Sequence, residues 1–276
     1  MTETQLKQLP VGPLVNRTIP QEDADQLYKT YKELPRSHFF GCPSCGKNQG
    51  FGRDGILELD GEEVLCNCHD QLQRCKHYLN AGIGMTYQFL DWKDFTGSRE
   101  AFGEAQRWSE RVAESVESGT NLYLHSRGYG SGKTLLSTLA LRRCIVAGHS
   151  CYMTTFQNML AAMKRGWSDG DFDKWYKGKV ESARVLLIDD LGKELMEIGG
   201  FNNEYARQTL DNLLRTRTQQ GRPLIFTSNL GTDELGSHYG PAVVSLFNET
   251  TIAVRVDGED YRKKVVAREV GKRRIY

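Results

Sequence analysis

Gly128-Tyr129-Gly130-Ser131-Gly132-Lys133-Thr134 puts three glycines, a lysine and a threonine into seven positions. Glycines let successive backbone N–H groups turn toward one anion, and a helix opening at the lysine adds its partial positive charge. Between a strand and a helix, this pattern binds the phosphates of a nucleotide: Lys133 reaches the β- and γ-phosphates, and the Thr134 hydroxyl holds Mg²⁺. The first glycine of the motif is replaced by Arg127, which tightens or distorts the loop unless Gly128 compensates.

Some 55 residues further on, Val185-Leu186-Leu187-Ile188 runs into Asp189 and Asp190. An unbroken apolar strand is the pattern of a parallel strand buried on both faces, and the carboxyl ends of such strands face the ligand crevice. Asp189 is placed to complete the Mg²⁺ shell, and Asp190 to orient or deprotonate an attacking water. A third strand, Leu224-Ile225-Phe226-Thr227-Ser228, ends at Asn229, whose amide could bond the lytic water or the γ-phosphate.

Cys42-x2-Cys45 and Cys66-x-Cys68 form two close pairs. Four thiolates suit a tetrahedral structural Zn²⁺ with no open position for chemistry. The intervening Phe51–Val64 alternates as a hairpin with its turn at Asp60-Gly61, and a segment so small needs ligation for its stability. His69, Cys75 and His77 are alternatives for one ligand. Cys144 and Cys151 stand apart in apolar contexts and read as core.

Lys164, Arg165, Trp167, Lys174, Trp175 and Lys177 mix cations with rings between the second and third strands. That mixture suits single-stranded nucleic acid, amines meeting phosphates and rings stacking on bases. The alternative is that Trp167, Trp175 and Tyr176 pack on the core and the lysines are solvated. The tail, with Arg262, Lys263, Lys264, Arg268, Lys272, Arg273 and Arg274, is a second basic stretch.

These residues need elements to hold them. The chain has 276 residues, 36 basic and 35 acidic, for a net charge of +1. Nucleic-acid binding through bulk charge is excluded, so a local patch must serve. No apolar run approaches a membrane span, and Met1–Leu14 lacks the pattern of a secretory signal. The expectation is a reducing, cytoplasmic setting. Residues 1–38 form a lead with a helix over Gln21–Leu34, 39–80 the cysteine module, and 81–276 an α/β domain with a five-stranded, mainly parallel sheet. Its strands are expected at Asn121–His125, Cys151–Thr154, Arg184–Asp189, Pro223–Ser228 and Thr251–Val256. Helices are expected from the glycine loop to about Ala147, over Phe156–Arg165 and over Asn203–Gln219. Phe102, Ala105, Trp108, Val112 and Val116 predict one amphipathic helix ahead of the first strand.

On Cys42-Pro43-Ser44-Cys45, Cys66-Asn67-Cys68, Ala81-Gly82-Ile83-Gly84, the phosphate loop, Ile188-Asp189-Asp190-Leu191-Gly192, Arg217, Pro223–Leu230 and Gly258-Glu259-Asp260-Tyr261-Arg262, the chain resembles the AAA+ ATPases of the DnaC/DnaI type. These are bacterial and phage replicative-helicase loaders, whose close relatives are IstB-like transposition helpers. The resemblance covers roughly residues 40–270. It implies an ATPase that loads a replicative helicase on single-stranded DNA, with ATP, Mg²⁺ and Zn²⁺ as cofactors, residues 1–80 gripping the helicase, and a homo-oligomer as the working form. It further implies Asn229 as sensor 1, Arg262 as a sensor 2 residue at the γ-phosphate, Ile83–Leu90 near adenine, and DNA contacts from the basic and aromatic insertion. The family's arginine between Tyr239 and Glu249, which reaches a neighbour's nucleotide, is replaced by Ser245-Leu246-Phe247; Arg217 or Arg255 are the substitutes to consider. Two other functions follow from the same residues: a transposition helper, or an ATP-gated adaptor with little turnover.

Overall fold

The computed structural model describes residues 56–59, 62–65, 77–84, 87, 90–166, 174–195 and 203–258. The chain divides into two compact units, Met1–Gln88 and Phe89–Tyr276. In the first, β1 (Ile56–Leu59) and β2 (Glu62–Leu65) pair antiparallel with Leu59 opposite Glu62. The sequence places the turn of this hairpin at Asp60-Gly61, which lie outside the described residues. Cys42, Cys45, Cys66 and Cys68, with His69 and Cys75, lie outside the described residues, as does the helix expected at Gln21–Leu34.

The second unit opens with α1 (Arg99–Glu110) and α2 (Val112–Glu117). The sequence predicts one helix here, but the chain leaves helical geometry at Arg111 (φ −97°, ψ 34°). The Ser115 hydroxyl then donates to the Trp108 carbonyl at 3.2 Å, satisfying an acceptor near the break. The apolar spacing continues across the break, with Ala105, Trp108, Val112 and Val116 all buried.

β3 (Asn121–His125), α3 (Lys133–Val146), β4 (Cys151–Thr155) and α4 (Phe156–Gly166) follow. A π-helical turn at Tyr176–Glu181 leads into β5 (Val185–Leu191). Then come α5 (Asn203–Gln219), β6 (Leu224–Ser228), α6 (Thr232–Tyr239), α7 (Pro241–Thr250) and β7 (Thr251–Arg255). The strands stand in the order β4-β5-β6-β3-β7, each pair parallel. All five strands fall where the sequence places them, within about two residues.

Both faces of the sheet are covered, which is why β5 and β6 carry unbroken apolar runs. On one face Tyr123, Leu186, Ile188, Leu224 and Phe226 pack with Phe156, Leu160, Leu210, Leu214 and Phe247 from the helices. On the other, α3 lies against the central strands, with α1 packed on α3. The α6–α7 pair was not anticipated. Pro241 at the first position of α7 suits a helix start, and Phe247 drives edge-on into Tyr123 with ring centres 4.9 Å apart. Among the described residues no helix is long and apolar enough to cross a membrane.

Candidate nucleotide site

β3 ends at His125 and the chain turns through 126–132 into α3. Gly132 has φ +93°, and a Cβ there would lie 2.7 Å from the Phe95 ring, so the loop's last glycine is demanded twice: by its backbone and by the aromatic face pressed on it. Lys133 is 7% exposed. Its ammonium donates to Ser126 Oγ at 2.7 Å and to the Gly128 carbonyl at 2.9 Å. Ser126 was not singled out from the sequence; a serine directly after a strand and seven positions before the lysine was the only signal. Tyr129, at the loop's tip, is 61% exposed.

Arg127 stands where the motif has its first glycine. Its guanidinium points away from the loop and meets Asp233 Oδ2 at 3.0 Å and Glu234 Oε2 at 3.8 Å, in the first turn of α6. Glu234 also accepts the Gly231 N–H at 2.7 Å. The phosphate loop and the segment after β6 are thereby joined across the surface.

The two acids sit in a break of register. Ile188 pairs with Phe226 and Leu191 with Ser228, so Asp189 and Asp190 together oppose the single residue Thr227. Such a bulge re-aims side chains beside a site. Asp190 adopts φ +58°, the only left-handed non-glycine among the described residues. Thr227 holds the bulge: its hydroxyl donates to Asp189 Oδ1 and accepts the Asp190 N–H at 2.9 Å. Two residues later Gly192 (φ +98°) leaves room for Leu230, whose Cδ1 would be 2.8 Å from an added Cβ.

Asp189 is 7% exposed and accepts the Thr134 hydroxyl at 3.1 Å. Burial raises its pKa and the adjacent Asp190 adds to this, against the hydrogen bonds from Thr227 and Thr134. Asp190 is more open and binds Lys193 Nζ through Oδ2 at 2.6 Å. Asn229 is half-buried at the carboxyl end of β6, one residue past Ser228. Behind it Glu194 is buried, accepts the Tyr239 hydroxyl and the Gly192 N–H, and has its pKa raised by burial. The structure therefore brings Lys133, Thr134, Asp189, Asp190 and Asn229 to one end of the sheet. A hydroxyl and a buried carboxylate 3.1 Å apart, next to a lysine at a helix start, are hard oxygen donors and a cation of the kind Mg²⁺ and a polyphosphate require. Among the described residues no cluster of three or more His, Cys, Asp or Glu is arranged to hold a metal by itself.

Other expected residues are dispersed. Arg262 lies outside the described residues, although the chain reaches Gly258 close to the loop: a Cβ there would be 3.6 Å from the Ser131 carbonyl. Arg217 cannot reach across a subunit boundary. It is 2% exposed and donates to the carbonyls of Val180, Ala183, Arg184 and Pro223 at 3.0–3.3 Å. This corrects its proposed role as a substitute for the missing arginine. Arg255 is exposed on β7 and pairs with Asp257 at 3.0 Å. Leu246 packs against the core from α7.

Of the nucleic-acid residues, Lys164, Lys174 and Lys177 are exposed. Trp175 is not an open stacking platform: its Nε1–H donates to the Tyr152 hydroxyl at 3.1 Å, and its ring meets Tyr152 edge-on against the core. The packing alternative holds for Trp175, and Tyr176 is partly buried against the same core. The side chains of Arg165 and Trp167 lie outside the described residues.

A glycine loop between β3 and a helix, two acids at the end of β5 and a polar residue at the end of β6, the strand between those two, define a P-loop nucleotide-binding protein of AAA+ architecture. Residues 73–268 match the model of the IstB-like ATP binding proteins, and the chain belongs to that family. It is 20% identical over 230 residues to the replicative helicase loader DnaC of Escherichia coli (strain K12), covering 78% of this chain and 86% of that protein. It is 25% identical over 158 residues to the replicative helicase loader DnaI of Bacillus subtilis (strain 168), covering 57% and 48%. A crystal structure of the DnaC helicase loader superposes with TM-score 0.53 and 20% identity, covering 63% of this chain and 100% of that one.

Proposed function

We propose that this protein is an ATPase that loads a replicative DNA helicase onto single-stranded DNA. The observation that carries the reading is the reach of the similarity: it spans 86% of the Escherichia coli loader, more than a shared phosphate loop would give. The described site supplies the parts that ATP chemistry needs.

Bound Mg²⁺·ATP supplies the γ-phosphoryl group, whose transfer to water is the reaction. Lys133 turns its ammonium from Ser126 and Gly128 toward the β- and γ-oxygens, while Gly128, Tyr129, Gly130, Ser131 and Gly132 present backbone N–H groups to the phosphates. Thr134 and Asp189, from adjacent elements, would hold the Mg²⁺ that neutralises the phosphates. Asp190 orients the water with the carboxylate oxygen not taken by Lys193, and Asn229 fixes it from β6. Arg262, four positions after Gly258 in the sequence, would be the sensor 2 residue for the γ-phosphate. Positioning and charge stabilisation account for the whole of this catalysis.

Zn²⁺ at Cys42, Cys45, Cys66 and Cys68 would stabilise the region around the β1–β2 hairpin, and residues 1–80 would grip the helicase. Subunits would assemble along DNA contacted by Lys164, Arg165, Lys174 and Lys177. One observation favours a second reading, an ATP-gated adaptor with slow turnover: Leu246 stands in the family's arginine position and Arg217 is locked inside.

The test is mass-resolved size exclusion with the replicative helicase of the same organism, with and without ATP·Mg²⁺. A stoichiometric complex supports the loader. No complex under either condition overturns it and leaves the transposition helper as the reading to pursue.

A further inference from the structure

A second recess lies away from the nucleotide site, between the π-helical turn at Tyr176–Glu181 and α5. Its volume is about 300 Å³, the small end of the range for pockets that hold a planar organic ligand. Along its length Gln208, Asn212, Thr216 and Gln220 line the wall at four-residue spacing, so one helical stripe presents amides and a hydroxyl. Of the charges on that helix, Glu204, Arg207, Asp211 and Arg215 stay off this lining, and Arg217 alone enters it. Tyr176 and Tyr205 supply aromatic surface.

Arg217 lies in the same wall. Its terminal nitrogens are committed to backbone carbonyls, but its Nε–H, fully buried, has no hydrogen-bond partner among the described residues. Burial and the neighbouring Arg222 guanidinium hold its pKa down at about 10, as expected of a cation with no carboxylate beside it. A buried donor left unpaired is costly, and a ligand bringing a carbonyl or ring-nitrogen acceptor relieves that cost. The only carboxylate in the lining is Glu181, which discourages a phosphate from entering. Lys174, Lys177 and Lys179 are exposed along the segment that carries Tyr176.

We infer that this recess takes a base of single-stranded nucleic acid, held between Tyr176, Tyr205 and the Gln208–Asn212–Thr216 stripe, with the backbone phosphates outside on Lys174, Lys177 and Lys179. The inference rests on the proposal that the protein binds single-stranded DNA and assigns that binding a pocket. It separates two tasks that the sequence pattern merges: the lysines give affinity without regard to sequence, and the recess gives base-dependent contact.

The experiment uses the full chain with fluorescein-labelled single-stranded dT and dC oligonucleotides over a salt series, and photocrosslinking with a 5-iodouracil-containing strand. Asn212→Leu, on an exposed helix face, fills the recess without touching the nucleotide site, and its ATP affinity serves as the folding control. It is expected to weaken binding about tenfold with the salt slope unchanged. The triple variant Lys174→Gln, Lys177→Gln, Lys179→Gln is expected to weaken all oligonucleotides and flatten the slope by about 2. Crosslinks are expected at peptides bearing Tyr176 or Tyr205. Normal affinity in Asn212→Leu with crosslinks elsewhere overturns the pocket while leaving DNA binding intact. No binding by the unaltered protein overturns the DNA reading and the pocket together.

Discussion

The hydroxyl of Thr227 donates to Asp189 while accepting the backbone N–H of Asp190, so one side chain on β6 fixes both acids at the end of β5. The acids are neighbours in sequence yet take different partners, because the bulge sends one carboxylate inward to Thr134 and leaves the other outward against Lys193. Thr227→Val keeps the volume and removes both bonds. The variant is expected to bind ATP but to lose turnover by tenfold or more, with its acid limb shifted to higher pH because Asp189 loses a bond that favours its charged form. A pH–rate profile identical to that of the unaltered protein would show that Thr227 does not position the pair.

Asp189 has a stability signature of its own. Its folded-state pKa lies above its unfolded value because burial disfavours the carboxylate. Stability from that shift is therefore complete below the unfolded pKa and lost as pH rises through the folded one. At neutral pH the group is a cost, so Asp189→Asn is expected to melt no lower than the unaltered protein without nucleotide, and to gain nothing from ATP·Mg²⁺. Melting curves across about pH 4–8, which spans the carboxylate titration, measure both effects.

Lys133→Ala and Asp190→Asn divide binding from chemistry. Lys133→Ala is expected to lose ATP affinity about a hundredfold, since a buried cation facing phosphates is removed. Asp190→Asn should retain affinity within a few-fold and lose turnover by about 10²- to 10⁴-fold. If Asp190→Asn still supports helicase loading, nucleotide binding alone drives that step and the adaptor reading gains.

Arg217 and Arg255 should respond oppositely. Arg217→Met leaves four buried carbonyls short of a donor and is expected to cost about 3–5 kcal/mol in urea unfolding. Arg217→Lys rescues little, because an ammonium does not reproduce the guanidinium fork. Arg255→Ala removes an exposed pair and should change stability by less than about 0.5 kcal/mol, so any loss of turnover on adding single-stranded DNA would place it at a neighbour's nucleotide.

Arg127 stands where the motif has glycine, yet its side chain serves a surface pair with Asp233, both partners being about 70% exposed. Arg127→Gly restores the motif and is expected to leave ATP affinity within about threefold and stability within about 1 kcal/mol. A larger loss of affinity would mean that the arginine reaches the nucleotide itself.

The sequence alone determined the sheet and the ends of its strands. Apolar runs of five or so residues bounded by polar ones read as strands buried on both faces, and a glycine loop between a strand and a helix that starts at a lysine reads as a phosphate cradle. Lys133, Thr134, Asp189, Asp190 and Asn229 are legible as candidates for that reason: the spacing that singles them out is local to each strand end. Tertiary structure decided what has no local signature. Arg217 is indistinguishable in sequence from a solvent-facing arginine, since only the fold brings the carbonyls of Val180, Ala183 and Pro223 to one point. Trp175 satisfies the pattern of a stacking residue until Tyr152, 23 positions earlier, is placed beneath it. The bulge under Asp190 follows from the register between two strands, a relation that neither strand's sequence contains.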